Sequence, residues 1–336
     1  MTESETRRAL WEQQTQETRR LWKNSWYIGA VIVLMLALDP LSAWLIRAPL
    51  LDAQAHMYDS SLARIWFYAF YDLEYLAAIA LPAILAALFF RIRPLPDKGL
   101  RRRISLPSAA ALTAFGLAFC ILANFIVNYW LTVVSQFGIE PFLGSYNNDP
   151  GWLPLTLNLI TYALLPGIFE ELVFRGYLLN ALRPFGERRA LILSALIFGL
   201  MHENLTQAPF AFLLGLLFGF LALRTGHLWV GMILHFLNNS MSVVLDYVAK
   251  NAGLSESDAI LMQYSLFLIL GILGGAALLW LHAAEESSGY TLLRPLTDRR
   301  SVLTSAKRAR LMWLTPGTLV AVISLIVMTV IREVQR

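Results

Sequence analysis

Residues 166–177 read Pro166-Gly167-Ile168-Phe169-Glu170-Glu171-Leu172-Val173-Phe174-Arg175-Gly176-Tyr177, with apolar sequence on both sides from about 153 to 182. A run of that length is enough to cross about 30 Å of hydrocarbon as a helix, yet it carries three ionisable side chains near its middle. Each costs about 2.5–3.5 kcal/mol on insertion scales, so Glu170, Glu171 and Arg175 together cost on the order of 8–10 kcal/mol unless they have partners or a function. Glu171 and Arg175 stand four apart, acid before base, and are expected to neutralise each other on one helical face. Glu170 is turned about 100° from that face and has no local cation, so desolvation is expected to lift its pKa toward the range of a general base.

The rest of the chain has the same solvent. Of 336 residues, 57% are apolar and only 15% charged, and mean hydropathy is +0.57, against roughly a quarter charged in soluble domains. This excludes both disorder and an ordinary water-soluble globule. Apolar runs near 26–46, 69–90, 108–134, 153–182, 188–204, 207–223, 228–248, 261–283 and 312–331 predict an all-α polytopic membrane bundle of about nine transmembrane helices (eight to nine), with a re-entrant pair as the alternative for the two runs joined by Glu203 to Thr206. The domain reading is a polar cytoplasmic segment over 1–25, a transmembrane bundle over 26–283 with its catalytic core at 153–248, a basic cytoplasmic loop over 284–311, and a last helix with a short tail over 312–336. The N-terminal segment has no cleavable signal pattern, and the first run is expected to stay in the membrane.

Charge asymmetry orients the bundle. Of the 27 Lys and Arg, Arg47, Arg64, Lys250, Arg332 and Arg336 fall on one side and Arg175 inside a span. All the others lie in segments that alternate onto the opposite side, which places the N-terminus inside. The net charge of +4 is thereby a matter of topology, and nucleic acid is not an expected partner. Cys120, the single cysteine, has no disulfide partner and reads as packing.

Two later spans bring further polar groups to one depth. Phe198 and His202, and His235 and Asn239, are helical i, i+4 pairs. Phe198 is expected to pack beneath His202, and His235 and Asn239 to donate to a single oxygen atom. Counted from the inner boundaries, Glu170 lies at roughly 20 Å, His202 at roughly 18 Å, His235 at roughly 12 Å and Asn239 at roughly 18 Å. A carboxylate, two imidazoles and a carboxamide at one level of the hydrocarbon are read as a site. Asp39, Asp72 and Glu74 lie near predicted outer ends, Asn124 and Asn128 read as interhelical hydrogen-bonding groups, and Trp26, Trp66, Trp152, Trp229 and Trp313 as interfacial anchors.

The patterns E-E-x-x-x-R at Glu170 to Arg175, F-x-x-x-H at Phe198 to His202 and H-x-x-x-N at His235 to Asn239 resemble the three motifs of the CPBP family, the CAAX-processing and bacteriocin-processing intramembrane proteases that include type II CAAX prenyl endopeptidases. The resemblance covers about residues 153 to 248. It implies peptide-bond hydrolysis in a membrane cavity, with a membrane-associated protein or peptide as substrate, in a multi-pass protein of a bacterial inner membrane. By position, Glu170 and His202 would activate a water, His235 and Asn239 would stabilise the oxyanion, and Arg175 with Glu171 would hold the motif helix, with Phe198 supporting. No cofactor is required on this reading. Zinc is the alternative, with Glu170, His202 and His235 as ligands and one position open; a zincin motif is absent, because position 206 is Thr206 and not histidine. The competing function is a noncatalytic self-immunity or scaffolding protein of the same fold. A proton or ion transporter is disfavoured by the lack of an inverted repeat.

Overall fold

The structure, a computed structural model, describes residues 2–94, 104–138, 149–288, 296 and 301–334. Among these residues there is no strand. Ten helices follow in order: α1 (Glu3–His56), α2 (Ser61–Phe90), α3 (Leu106–Ser135), α4 (Trp152–Phe185), α5 (Glu187–Leu200), α6 (Gln207–Thr225), α7 (Trp229–Asn251), α8 (Glu256–Ser288), α9 (Ser305–Leu314) and α10 (Pro316–Val334). Seven of them (α1 over Glu3–Ser42, α2, α3, α4, α6, α8 over Glu256–Ala284, and α10) are long and apolar enough to cross a membrane, and the chain is a multi-pass membrane protein.

The other two expected spans are present as helices of a different kind. α5 has 14 residues, about 21 Å of rise, which is short of the hydrocarbon thickness. α7 has 23 residues but carries His235, Asn238, Asn239, Asp246 and Lys250, which lower its hydropathy. Each turns one face into the bundle, where His235, Asn238 and Asn239 find protein partners and not lipid.

The polar N-terminal segment is not separate from the first span. It continues into α1, a single helix of 54 residues started by a Thr2 capping box with Glu5. The basic loop expected over 284–311 lies partly outside the described residues, and its end is helical, as α9. Residue Ser25 of α1 bonds the hydroxyls of Thr315 and Thr318 at the start of α10, and Asn24 Nδ2 donates to the Ala181 carbonyl of α4 at 2.7 Å. Buried polar pairs therefore fix one end of α1, α4 and α10 together.

Two apolar clusters organise the helices. One is built from α1, α2, α4, α5 and α10, around Tyr27, Phe174, Phe185, Ile197 and Leu325. The other is built from α3, α6, α7 and α8, around Leu112, Cys120, Phe218 and Leu234. α6 belongs to both. The apolar side chains left at the surface, such as Leu88, Phe89, Leu268 and Leu279, face outward along α2 and α8, as lipid contact requires.

Candidate active site

α4 is not a uniform helix, and its irregularity is what presents the acidic pair. Leu165 N–H bonds the Ile160 carbonyl and Leu179 N–H bonds the Phe174 carbonyl, both i→i+5, so two π-helical stretches, Ile160–Leu164 and Glu171–Leu178, flank the ordinary turns Leu165–Glu170. π-bulges in helices concentrate at functional sites because they re-aim side chains at the cost of ladder geometry. Gly167 lets α4 lie directly on α7: a Cβ there would stand 3.1 Å from Phe236 N.

The expected ion pair is present. Arg175 Nη1 donates to Glu171 Oε1 at 2.7 Å, with both side chains 1% exposed. The guanidinium also stacks over the Phe198 ring at 4.2 Å, which spreads its charge over an aromatic face. Glu171 Oε1 accepts a second bond, from His235 Nδ1 at 3.2 Å. That bond fixes the imidazole so that Nε2 is turned to the other acid, 3.9 Å from Glu170 Oε2. Glu170 Oε1 in turn accepts from the Tyr75 hydroxyl of α2 at 2.8 Å.

His202 leaves the end of α5. Its Nδ1 donates to the Phe198 carbonyl at 3.0 Å, leaving Nε2 as the ring atom with a lone pair. The Phe198 ring touches both imidazoles, edge-on to His202 at 5.3 Å and to His235 at 6.1 Å between centroids. The turn after His202 is held from outside the motif segment. Glu203 sits at φ 51, Asn204 Nδ2 donates to the His202 carbonyl at 2.7 Å, Leu205 N–H donates to Glu333 Oε1 at 2.7 Å, and Arg332 Nε donates to Glu203 Oε2 at 3.0 Å. A cavity of about 170 Å³ beside His202 is lined by Asp39, Glu203 and Arg332 together with apolar residues of α1, α2 and α10.

The structure therefore brings Glu170, Glu171, Arg175, His235 and Phe198 into one cluster, with His202 packed edge-on against Phe198. Asn239, expected to donate with His235 to one oxygen, is engaged here by backbone and side-chain groups. Its Nδ2 donates to the Tyr162 carbonyl at 3.0 Å and its Oδ1 accepts from Asn238 at 3.1 Å, so it ties α7 to the first π-helical stretch of α4. A π-helical turn shifts its carbonyls off the ordinary ladder, and the carboxamide takes one of them. Among the described residues no three His, Cys, Asp or Glu side chains are grouped as metal donors; of the atoms the zinc alternative could use, Glu170 Oε1 and His235 Nδ1 are engaged by Tyr75 and Glu171, which leaves Glu170 Oε2 and His235 Nε2. Tyr75, Glu203, Arg332 and Glu333 were not among the expected site residues. Asp39 and Glu203 carried a signal as acids within or beside apolar runs, but Tyr75 carried none.

A polytopic helical membrane protein with a buried acid–imidazole–guanidinium cluster on its central helices is the class defined by these observations. A family model described as type II CAAX prenyl endopeptidase, Rce1-like, matches residues 152–241, the stretch from the start of α4 to within α7, about a quarter of the chain. The chain is also similar to the "Putative membrane peptidase YdiL" of Bacillus subtilis (strain 168), 30% identical over 90 residues, 26% of this chain and 37% of that protein. The match thus spans little more than a third of that relative. No solved structure matches. The resemblance read from the three motifs is found again by these comparisons, over the same central helices.

Proposed function

We propose that the protein is an intramembrane endopeptidase of a bacterial cell membrane that hydrolyses a peptide bond of a membrane-associated protein or peptide. The observation that carries the reading is the Glu170 carboxylate, buried within the family-matched segment, bonded on one oxygen to Tyr75 and facing the His235 Nε2 with the other. On this reading Glu170 takes the proton of a water as it attacks the scissile carbonyl, with the lone pair of His202 Nε2 assisting the same water. His235, carrying a proton on Nε2, stabilises the negative oxygen that develops; a donor so placed in a dry site is worth about 3–4 kcal/mol of barrier in other hydrolases. Glu170 then returns its proton to the leaving amine, which closes the balance of one water consumed per bond cut. Asn239 acts in this scheme by holding α7 on α4, which sets the height of His235.

The reaction needs no metal ion on this reading. Purified protein treated with a strong chelator is expected to retain activity, and loss restored by zinc would overturn that part. The function itself is tested by quantitative proteomics of membranes from cells carrying the wild type or Glu170→Gln. Peptides that stay uncut only with the variant are expected. A cellular phenotype fully preserved by Glu170→Gln, with no peptide accumulating, would favour the noncatalytic immunity or scaffolding role instead.

A further inference from the structure

Tyr75 is the last member of a line of polar side chains on α2. Positions 64, 68, 71, 72 and 75 fall on one helical face, and they meet a matching line on or just before α4. Arg64 pairs with Asp149 at 3.0 Å, Tyr68 donates to Asn158 Oδ1 at 2.6 Å, the Tyr71 and Tyr162 rings meet edge to face at 5.9 Å, and Tyr75 ends the series on Glu170. The line rises roughly 16 Å through the bundle.

Two features separate this seam from ordinary interhelical bonding. Midway along it, Asp72 and Thr161 interact as a loose side-chain hydrogen bond, and Asp72 Oδ1 and Thr161 Oγ1 are buried with no well-formed bond to any other group. Lipid cannot satisfy them, and buried groups of this kind normally hold water with two to four polar partners. The seam also opens at its far end: Ser60, Ser61, Arg64 and Gly151 border a cavity of about 340 Å³, at the end of α4 opposite Arg183.

We propose that the α2–α4 seam is a water path from the Arg64–Asp149 end of the bundle to Glu170. Its use, delivery of the water that hydrolysis consumes, rests on the proposed peptidase reading; the path itself rests on the line of polar side chains, the incompletely bonded Asp72–Thr161 pair and the open end. α2 lies outside the segment that matches the family.

The single cysteine, buried Cys120, makes a direct test practical. In a Cys120→Ala background, Asp72→Cys and Thr161→Cys are compared in sealed proteoliposomes with Leu73→Cys, at an adjacent position that is 55% exposed on the outside of the bundle. Ser60→Cys marks the face at which the path opens. Silver ion, a small water-borne thiol probe, is added to one face at a time, and thiols left free are counted by mass spectrometry after denaturation and alkylation. Thiols react through the thiolate, which forms in water and not in lipid. Positions 72 and 161 are therefore expected to react at least about 100-fold faster than position 73, from the face marked by Ser60→Cys. Equal silence at 72, 161 and 73, or access only from the opposite face, would overturn the path. Thr161→Cys, nearly isosteric, keeps the test decisive if Asp72→Cys does not fold. The labelling needs no turnover, so it stands or falls separately from the peptidase assignment.

Discussion

Glu170 and Glu171 are adjacent carboxylates with opposite dependencies, and substitution separates them. Glu171 is the counter-ion of a guanidinium that is 1% exposed and also holds His235 Nδ1. Glu171→Gln leaves Arg175 as an uncompensated buried cation, so a destabilisation of about 3–5 kcal/mol is expected, read as a large fall in melting temperature in detergent. Glu170→Gln keeps an amide oxygen for the Tyr75 hydroxyl, and its cost in stability is expected to stay below about 1 kcal/mol while turnover is lost. A large stability loss for Glu170→Gln would mark the residue as structural. Tyr75→Phe removes only the donor to Glu170. It is expected to lower kcat about tenfold, the effect of one hydrogen bond worth about 1.4 kcal/mol, on whichever peptide the Glu170→Gln comparison identifies. The acid pair and its arginine were legible because i, i+4 charge pairing follows from helix geometry alone. Tyr75 was not, since a tyrosine in an apolar run reads equally as an interfacial anchor or a core ring, and only the placement of α2 against α4 decides. The committed amide of Asn239 was hidden for a related reason: its acceptor is a carbonyl displaced by a π-helical turn, for which the sequence has no pattern.

At the scale of elements, the turn between α5 and α6 shows how a helix remote in sequence takes part in the site. Glu203 holds a left-handed conformation, costly for a residue with a Cβ by about 1–2 kcal/mol, and it persists because α10 grips the turn through Arg332 and Glu333. Glu203→Gly removes that strain. It also loses an ion pair whose arginine is 48% exposed, worth at most about 1 kcal/mol, and it adds roughly 1 kcal/mol of backbone entropy to the unfolded chain. These terms nearly cancel, so the melting temperature is expected to move little. Turnover is expected to fall nonetheless, because one of the two ties that position the His202 turn is gone. Unchanged kcat and KM would show that the Glu333 tie alone suffices. The helices themselves were legible from apolar run lengths, and the expected boundaries of most of them lie within a few residues of those observed. The two helices that fail the length or hydropathy expected of a lone span, α5 and α7, are the ones that position the imidazoles, His202 in the turn that ends α5 and His235 within α7. Polar function and membrane hydropathy compete for the same positions, and the competition is settled by turning one face of those helices into the bundle.

For the whole molecule, the consequence is that the site depends on an interface at the other end of the bundle. α10 is fastened to α1 where Gly29 and Gly317 meet: a Cβ on Gly29 would stand 2.7 Å from the Gly317 carbonyl oxygen, and one on Gly317 would run into the Ser25 backbone. Such a seam of small residues is how membrane helices reach backbone contact without a hydrophobic driving force. From Gly317 to Glu333, α10 runs roughly 24 Å as a rigid helix, so a wedge at its start must displace its end. Gly317→Leu is expected to push α10 off α1, draw Glu333 away from the Leu205 N–H and release the His202 turn. Hydrogen exchange read by mass spectrometry is expected to accelerate in residues 201–206, with little change in residues 166–178, whose bonds lie within α4. Exchange that accelerates equally in both segments would mean that the bundle loosens as one body, and that α10 has no particular hold on the turn. Exchange unchanged in both would mean that the seam yields locally and transmits nothing.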